Sequence, residues 1–217
     1  MKTIIQSDFD GTITPEDVSF MILDTFGSKD WRQGLEDYKN GKITVADFNT
    51  QAFSTVKADE QTLVNFVRQH SQVRPGFKEL LDFCRRHDIG FVIVSNGLDF
   101  YIKTVLDTIG VNGIDIHAAT TRFTPEGIDA RYLGPDGTRL NDKFKDAYLR
   151  YFLEKGYRVI YAGNGPSDLS PARDCCHIFA TDNLLDSCQD MNLVHTPFED
   201  LNEVVRGLEH FLGHTAS

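Results

Sequence analysis

The sequence is poor in cysteine, in basic residues and in long apolar runs, and each shortage excludes a class of protein. Its four cysteines are Cys84, Cys175, Cys176 and Cys188, and they lack the spacing of zinc ligands. The pair at 175 and 176 is adjacent, and neighbouring cysteines seldom form a disulfide with each other. A disulfide framework is therefore not expected, and we predict a cytoplasmic protein with reduced thiols.

Membrane segments are also lacking. No stretch approaches the roughly 18 consecutive apolar residues that suggest a spanning helix. The N-terminal residues MKTIIQSDFDG turn polar too early for the apolar region of a signal peptide. We therefore expect no membrane as a partner.

Positive charge is scarce. The chain has 22 lysines and arginines against 32 aspartates and glutamates, and its formal net charge is -10 at pH 7. Such a surface repels nucleic acid, so we expect no nucleic-acid partner either. A small anionic substrate would need local positive charge or a metal ion to offset this field.

What the sequence does contain is an alternation of apolar runs and amphipathic segments. Thr3–Ser7 and Phe91–Val94 have the composition of buried strands, whereas residues 16–70 have helical periodicity and no strand-like run. The other predicted strands are Ile114–Thr120, Arg158–Ala162, His177–Ala180 and Asn192–His195, with a hairpin at Phe123–Leu133. The other predicted helices are Phe77–His87, Leu98–Ile109, Asp142–Glu154, Asp168–Asp174 and Phe198–Leu212. This order predicts an α/β fold with a Rossmann-like parallel sheet.

Chemically reactive side chains follow the predicted strands. Asp8-Phe-Asp10, Ser95-Asn-Gly97 and Gly163–Asp168 each stand at a strand's carboxyl end, and Asn141–Lys145 begins a helix. Ligands of open parallel sheets bind at that edge. The sequence therefore predicts that these four segments converge on one site.

Asp8 and Asp10 form a carboxylate pair. In extended backbone alternate side chains share a face, and Gly11 lets the chain turn sharply after them. Two close carboxylates repel each other unless a cation or a proton lies between them, and Mg²⁺ suits such a site. Taken alone, the pair has an alternative interpretation, in which the two aspartates cap a turn and have only a structural role.

The motifs DFDGT, IVSNG and GNGPSD resemble, in order and spacing, those of haloacid dehalogenase (HAD) superfamily phosphatases. The resemblance spans nearly the whole chain and is closest to the subfamily of 2-hydroxy-3-keto-5-methylthiopentenyl-1-phosphate phosphatases and phosphoserine phosphatases. It implies a core of residues 1–14 and 74–217 and a helical cap of residues 15–73.

The resemblance also implies roles. Asp8 would attack phosphorus and form an aspartyl-phosphate, and Asp10 would protonate the leaving oxygen and then help water to hydrolyse that intermediate. The side chain of Ser95 and the backbone N–H of Asn96 would bind the phosphoryl oxygens. Further substrate-binding candidates are Thr12 and Asp17.

Metal binding is implied in the same way. Mg²⁺ would be held by Asp8, by the backbone carbonyl of Asp10 and by the fourth motif, with Asn164 and Asp168. The family's fourth motif usually begins Gly-Asp, whereas here Asn164 follows Gly163. An amide oxygen brings no charge, so the expected metal affinity is lower.

A lysine that offsets phosphoryl charge opens a helix in this family, and two lysines compete for the role. Apolar residues follow Lys145 at the three-, four- and seven-residue spacings expected there, namely Tyr148, Leu149 and Phe152. From Lys143 the same spacings give Asp146, Ala147 and Arg150. We therefore predict Lys145 and expect Lys143 to be a solvated residue.

The predicted function is a Mg²⁺-dependent phosphatase acting on a small phosphorylated metabolite, as a monomer or homodimer. The alternatives are a catalytically weakened phosphate-binding protein, which Asn164 would favour, and a phosphomutase; Asp10 disfavours a dehalogenase. Asp17 matches an acidic cap position of phosphoserine phosphatases, but Gln51 falls where those enzymes carry an arginine. A methionine-salvage-type substrate is therefore favoured over one recognised by its carboxylate.

Overall fold

The computed structural model describes residues 2–215, which contain a seven-stranded sheet. The strands are β1 (Thr3–Ser7), β2 (Ile89–Leu98), β3 (Asp115–Thr124), β4 (Gly127–Arg131), β5 (Arg158–Gly163), β6 (His177–Ala180) and β7 (His195–Pro197). Their order is β4-β3-β2-β1-β5-β6-β7, and all neighbours are parallel except β3 and β4. The predicted α/β fold class is confirmed.

Helices connect these strands. They are α1 (Val18–Phe26), α2 (Trp31–Lys39), α3 (Val45–Phe53), α4 (Glu60–His70), α5 (Phe77–Arg86), α6 (Asp99–Thr108), α7 (Phe144–Glu154), α8 (Pro166–Ala172), α9 (Asp182–Asp190) and α10 (Leu201–Thr215). The first four follow one another between β1 and α5, as the helical periodicity of that region predicted. In the part of the chain that the structure describes, no helix has the length and apolar character needed to cross a membrane.

The central strand β1 sets the position of the site. Ile5 is fully buried and pairs with Phe91 of β2 on one side and Ile160 of β5 on the other. Ser7, at the end of β1, pairs with Ile93 and Ala162. The segments that follow β1, β2 and β5 therefore leave the sheet side by side, where ligands of parallel sheets bind.

The C-terminal part differs from the prediction. Helix α9 was not among the predicted elements, because it buries only Leu184 and Cys188, too few residues for a periodic signal. The last strand is His195–Pro197 rather than Asn192–His195. Asn192 has a left-handed φ of 51°, and the N–H of Leu193 bonds to the carbonyl of Cys188, so these residues close α9 instead of pairing with β6.

The bounds of α8 and of β3 also differ from the predicted ones. Helix α8 spans Pro166–Ala172 instead of Asp168–Asp174, because a proline's fixed φ suits a first helical position and the Asp168 carboxylate accepts the N–H groups of Asn164 and Gly165. The strand predicted at 114–120 is part of the predicted hairpin. It continues as β3 to Thr124, and the turn that follows leads into β4. At that turn a Cβ on Gly127 would lie 1.9 Å from the carbonyl oxygen of Ser54, so the hairpin packs closely on the end of α3.

Candidate active site

The four predicted motifs converge at the carboxyl edge of the sheet. A cleft of about 230 Å³ lies between that edge and helices α1–α3. The predicted site residues that line it are Asp8, Asp10, Asp17, Ser95, Asn96, Lys145 and Asn164. Thr12 and Asp168 are fully buried behind this wall.

Lys145 lies between two carboxylates. Its Nζ is 2.7 Å from Oδ2 of Asp8 and 2.6 Å from Oδ1 of Asp168, and it also donates to the hydroxyl of Ser167 at 3.2 Å. Burial by itself lowers the pKa of Lys145, but the charges of Asp168 and Asp8 outweigh it and hold the pKa above its ordinary value. The buried lysine therefore remains charged.

Lys143 does not share this position. It precedes α7 with a left-handed φ of 53°, and its side chain is exposed. Because Lys143 lies outside the helix while Lys145 is in its first turn, the two side chains leave the chain in different directions, and Lys145 is the one that contacts the carboxylates. The spacing of apolar residues after Lys145 had indicated the same choice.

Asp8 begins the first motif directly after β1. Its Oδ1 accepts the N–H of Phe9 at 2.7 Å, while its Oδ2 faces Lys145. Its backbone N–H donates to the carbonyl of Ala162, which continues the pairing of β1 with β5. Burial raises the pKa of Asp8, Lys145 opposes this rise, and the nearby charge of Asp168 adds to it.

Asp10 is held through both carboxyl oxygens. Oδ1 accepts the backbone N–H of Val18 at 2.8 Å, and Oδ2 accepts the phenol of Tyr101 at 2.5 Å. Burial, followed by the charge of Asp17, raises the pKa of Asp10 well above its usual range. This favours a protonated carboxyl, as a general acid requires.

Asp17, predicted to contact substrate, caps α1. Its Oδ1 accepts the N–H of Phe20 at 3.0 Å and the hydroxyl of Ser19. Burial raises its pKa. The residue lines the cleft, but its Oδ1 is already engaged by the helix, as is usual for an N-cap aspartate.

The Ser95–Gly97 loop is the irregular stretch of β2 where the register with β3 shifts between Val94 and Leu98, and it carries both a donor and an acceptor. The hydroxyl oxygen of Ser95 accepts the N–H of Gly97 at 3.0 Å, which leaves the hydroxyl proton free to donate into the cleft. The carbonyl of Asn96 accepts from the side chain of Asn49 at 2.8 Å and from the phenol of Tyr132. Asn49 belongs to α3, so a contact from the helical insert orients this loop.

Asn49 and Tyr132 were not predicted as site residues. Neither belongs to a motif, and no local pattern brings a residue of α3 and one after β4 to the same carbonyl. Gln51, which was aligned with the cationic cap position, is exposed and does not line the cleft. Asn49 lines it instead, because a shift of two residues turns to another face of a helix.

Asn164 lies against the first motif. Its Oδ1 accepts the hydroxyl of Thr12 at 3.3 Å. A Cβ on Gly11, whose φ is +73°, would lie 2.0 Å from the Asn164 amide nitrogen, so glycine is required there by both conformation and space. Thr12 is therefore a partner of Asn164 behind the cleft rather than part of its lining.

Asp168, predicted as a metal ligand, accepts four hydrogen bonds. Oδ1 accepts from Lys145 and, at 2.7 Å, from the phenol of Tyr161. Oδ2 accepts the backbone N–H groups of Asn164 and Gly165 at 3.1 and 2.9 Å. These donors orient Asp168 toward the lysine and toward the start of α8.

The residues that line the cleft include oxygen ligands suited to a hard cation. Asp8, Asp10 and Asn164 together offer few carboxylates and leave room for water and substrate oxygens, as Mg²⁺ prefers. Within residues 2–215 no group of three or more histidine, cysteine, aspartate or glutamate side chains could hold a metal ion. The predicted set therefore depends on an amide and a backbone carbonyl.

The fold and this site define a Rossmann-like α/β hydrolase with a buried lysine and several carboxylates at the carboxyl edge of its sheet. The chain belongs to the haloacid dehalogenase-like hydrolase family, whose model matches residues 5–173. The predicted resemblance is thereby confirmed.

Curated relatives are phosphatases. The chain is 30% identical to the 2-hydroxy-3-keto-5-methylthiopentenyl-1-phosphate phosphatase of Geobacillus thermodenitrificans over 96% of each chain. It is 28% identical to the enzyme of that name from Bacillus pumilus, over 91% of this chain and 87% of the relative. The predicted enzyme class, a phosphatase of this family, is confirmed by these relatives.

Solved structures support the fold. A substrate-bound phosphoserine phosphatase complex superimposes with a TM-score of 0.71 at 14% identity, over 95% of this chain and 98% of the other. A phospho-aspartyl intermediate analogue of phosphoserine phosphatase gives a TM-score of 0.68 at 15% identity, over 94% and 98%. At these identities the likeness concerns the fold alone.

Proposed function

We propose that this chain hydrolyses a small phosphomonoester by transferring its phosphoryl group to Asp8. The observation that carries the proposal is the buried charge arrangement, in which Lys145 contacts Asp8 at 2.7 Å and is held from the other side by Asp168. A buried cation beside the attacking carboxylate suits phosphoryl transfer, where stabilising charge on the equatorial oxygens supplies most of the catalysis.

The remaining residues have complementary roles in this proposal. Asp10, whose pKa is raised by burial, gives its proton to the leaving oxygen and later takes one from the water that attacks the aspartyl-phosphate. Ser95 donates its free hydroxyl proton to a phosphoryl oxygen, next to the N–H of Asn96. Asp168 holds the lysine rather than the metal, since its four hydrogen bonds leave it poorly placed as a direct metal ligand.

Mg²⁺ is the proposed cofactor. Asp8, the carbonyl of Asp10 and Asn164 would hold it, and when bound it would offset negative charge on the phosphoryl oxygens. Together with Lys145, such a cation would offset the acidic net charge of the chain where an anionic substrate approaches.

Residues 15–73 are proposed to act as a cap that closes over the cleft. The chain leaves and re-enters the core at adjacent points, since the N–H of Arg74 bonds to the carbonyl of Ile13 at 2.8 Å. The Arg74 guanidinium also donates to the carbonyl of Gly11 at 2.9 Å, which ties this crossing to the first motif. Closure would exclude water from the phosphoryl group.

The proposed substrate has an uncharged, partly apolar leaving group, as in methionine salvage. The cap side of the cleft is formed mainly by apolar side chains, namely Phe20, Leu35, Tyr38, Val45 and Phe48. Besides Lys145, the cleft is lined by one other lysine, Lys39, within residues 2–215; its side chain is exposed and pairs with Glu36 at 3.4 Å. No arginine lines the cleft within residues 2–215, so a substrate carboxylate has no bidentate partner.

A panel of phosphomonoesters tests this function. With Mg²⁺ we expect turnover of 2-hydroxy-3-keto-5-methylthiopentenyl-1-phosphate with a kcat/KM at least about tenfold above that of phosphoserine, because the apolar wall favours the methylthio tail by roughly 1–3 kcal/mol. Chelation by EDTA should abolish turnover of both, and added Mg²⁺ should restore it. Preference for phosphoserine would contradict the substrate, and inactivity on every phosphomonoester would contradict the function.

Replacing Asn164 with aspartate is expected to tighten Mg²⁺ binding. The change replaces the neutral amide of a residue that lines the cleft with a carboxylate, and the added attraction should lower the Mg²⁺ dissociation constant roughly tenfold, after repulsion from Asp8 is subtracted. Isothermal titration with Mg²⁺ measures this without turnover, and mass spectrometry confirms that the wild type has not deamidated at Asn164. Equal Mg²⁺ affinity in the two proteins would place Asn164 outside the metal's coordination.

A further inference from the structure

Tyr101 is a buried residue that contacts the site without lining the cleft. It lies in the first turn of α6, just after the Ser95–Gly97 loop, and its side chain is fully buried. Its hydroxyl donates to Oδ2 of Asp10 at 2.5 Å. Because α6 follows β2 directly, this contact joins the second motif to the first across the carboxyl edge of the sheet.

Gly97 makes room for this contact. A Cβ at position 97 would lie 1.8 Å from the Tyr101 hydroxyl and 2.7 Å from Oδ2 of Asp10. Gly97 is not among the glycines with positive φ, so its backbone conformation does not require glycine. The requirement is the space that the phenol and the carboxyl occupy together.

The two oxygens of Asp10 are held by different parts of the chain. Oδ2 is held by Tyr101 of α6, and Oδ1 accepts the N–H of Val18, the first residue of α1. These two donors, one from α6 and one from the start of α1, hold both ends of the Asp10 carboxyl and limit its rotation.

We propose that Tyr101 is the positioning residue that fixes the carboxyl plane of Asp10 for proton transfer to the leaving oxygen. The inference rests on the proposed function. In the first step the bond between phosphorus and the leaving oxygen breaks, a bond from phosphorus to Asp8 forms, and the proton of the Asp10 carboxyl passes to the leaving oxygen. In the second step water attacks phosphorus, its proton returns to Asp10, and phosphate and the Asp8 carboxylate are released.

The replacement Tyr101→Phe tests the proposal, because it removes the hydroxyl and keeps the buried ring. The readout is kcat/KM on an alkyl phosphate, whose alkoxide needs a proton to leave, and on p-nitrophenyl phosphate, whose nitrophenolate leaves with little help. We expect a loss of about 10- to 100-fold on the alkyl ester, part of the 10²–10⁴-fold that a general acid contributes. The loss on the aryl ester should be less than about threefold.

Tyr161→Phe is the matched control. It also removes a buried phenol that donates to a carboxylate, but the partner is Asp168, which holds Lys145. Because Lys145 acts on the phosphoryl group whatever leaves, this variant should lower both activities by the same factor. Thermal melts of both variants confirm that they fold.

An equal loss on both esters in Tyr101→Phe, or no loss, would overturn the proposal. If that variant fails to fold, Tyr101→Met, which also removes the hydroxyl and keeps an apolar side chain at this buried position, is measured in the same way, with the same two outcomes. Failure of the proposed function itself is seen separately, as inactivity of the wild type on both esters.

Discussion

Replacing Asp8 with asparagine is expected to abolish turnover and to leave the fold intact. An amide cannot form the aspartyl-phosphate, so the activity should fall to background on every ester. The fold should persist because Lys145 keeps Asp168 as its partner at 2.6 Å. Burial raises the pKa of Asp8, so its charge destabilises the folded state at neutral pH, and the variant should melt at or above the wild-type temperature.

Two measurements check this expectation. Acid-quenched wild type incubated with a labelled phosphomonoester should retain label on the protein, and Asp8→Asn should not. Beryllofluoride, which mimics an aspartyl-phosphate, should stabilise the wild type against heat and leave the variant unchanged. Substantial residual turnover in a clean Asp8→Asn preparation would contradict the proposed nucleophile.

Replacing Lys145 with methionine is expected to affect both rate and stability. The change removes the charge beside the phosphoryl site, for which a loss on the order of 10²–10³-fold in kcat is reasonable. It also leaves Asp8 and Asp168 buried without their cation, and breaking a buried pair in this way costs about 3–5 kcal/mol. Ester hydrolysis and urea unfolding measure the two effects independently.

Lys143→Met is the matched control for this prediction. It deletes the same charge two residues away, from an exposed side chain. It should therefore change kcat by less than about threefold and the free energy of unfolding by about 0.5 kcal/mol or less, as is usual for surface substitutions. The reverse pattern, with Lys143→Met inactive and Lys145→Met near wild type, would show that the lysine was assigned wrongly.

Much of the fold was predictable from local signals. A β-branched run marks β1, a continuous apolar run marks β2, and the helical periodicity of residues 16–70 marks α1 to α4, because the burial of one or both faces of an element determines the spacing of its apolar residues. Helix α9 could not be predicted in this way, since it buries only two side chains. The start of β7 depends on the left-handed backbone conformation of Asn192, which closes α9. No distinctive residue pattern in the sequence predicts that conformation there.

Most of the residues that meet at the site were predictable from their places in the chain. Asp8, Ser95, Lys145 and Asn164 each follow a predicted strand or open a helix, and parallel topology brings such positions to one edge. The contacts that hold them became visible only in the folded chain: Tyr101 on Asp10, Asn49 on the Asn96 carbonyl, and four donors on Asp168. The contacts of Tyr101 with Asp10, of Asn49 with Asn96 and of Lys145 with Asp168 join residues far apart in the chain. Their hydrogen bonds depend on distances of a few tenths of an ångström, which only the packing of the folded chain sets.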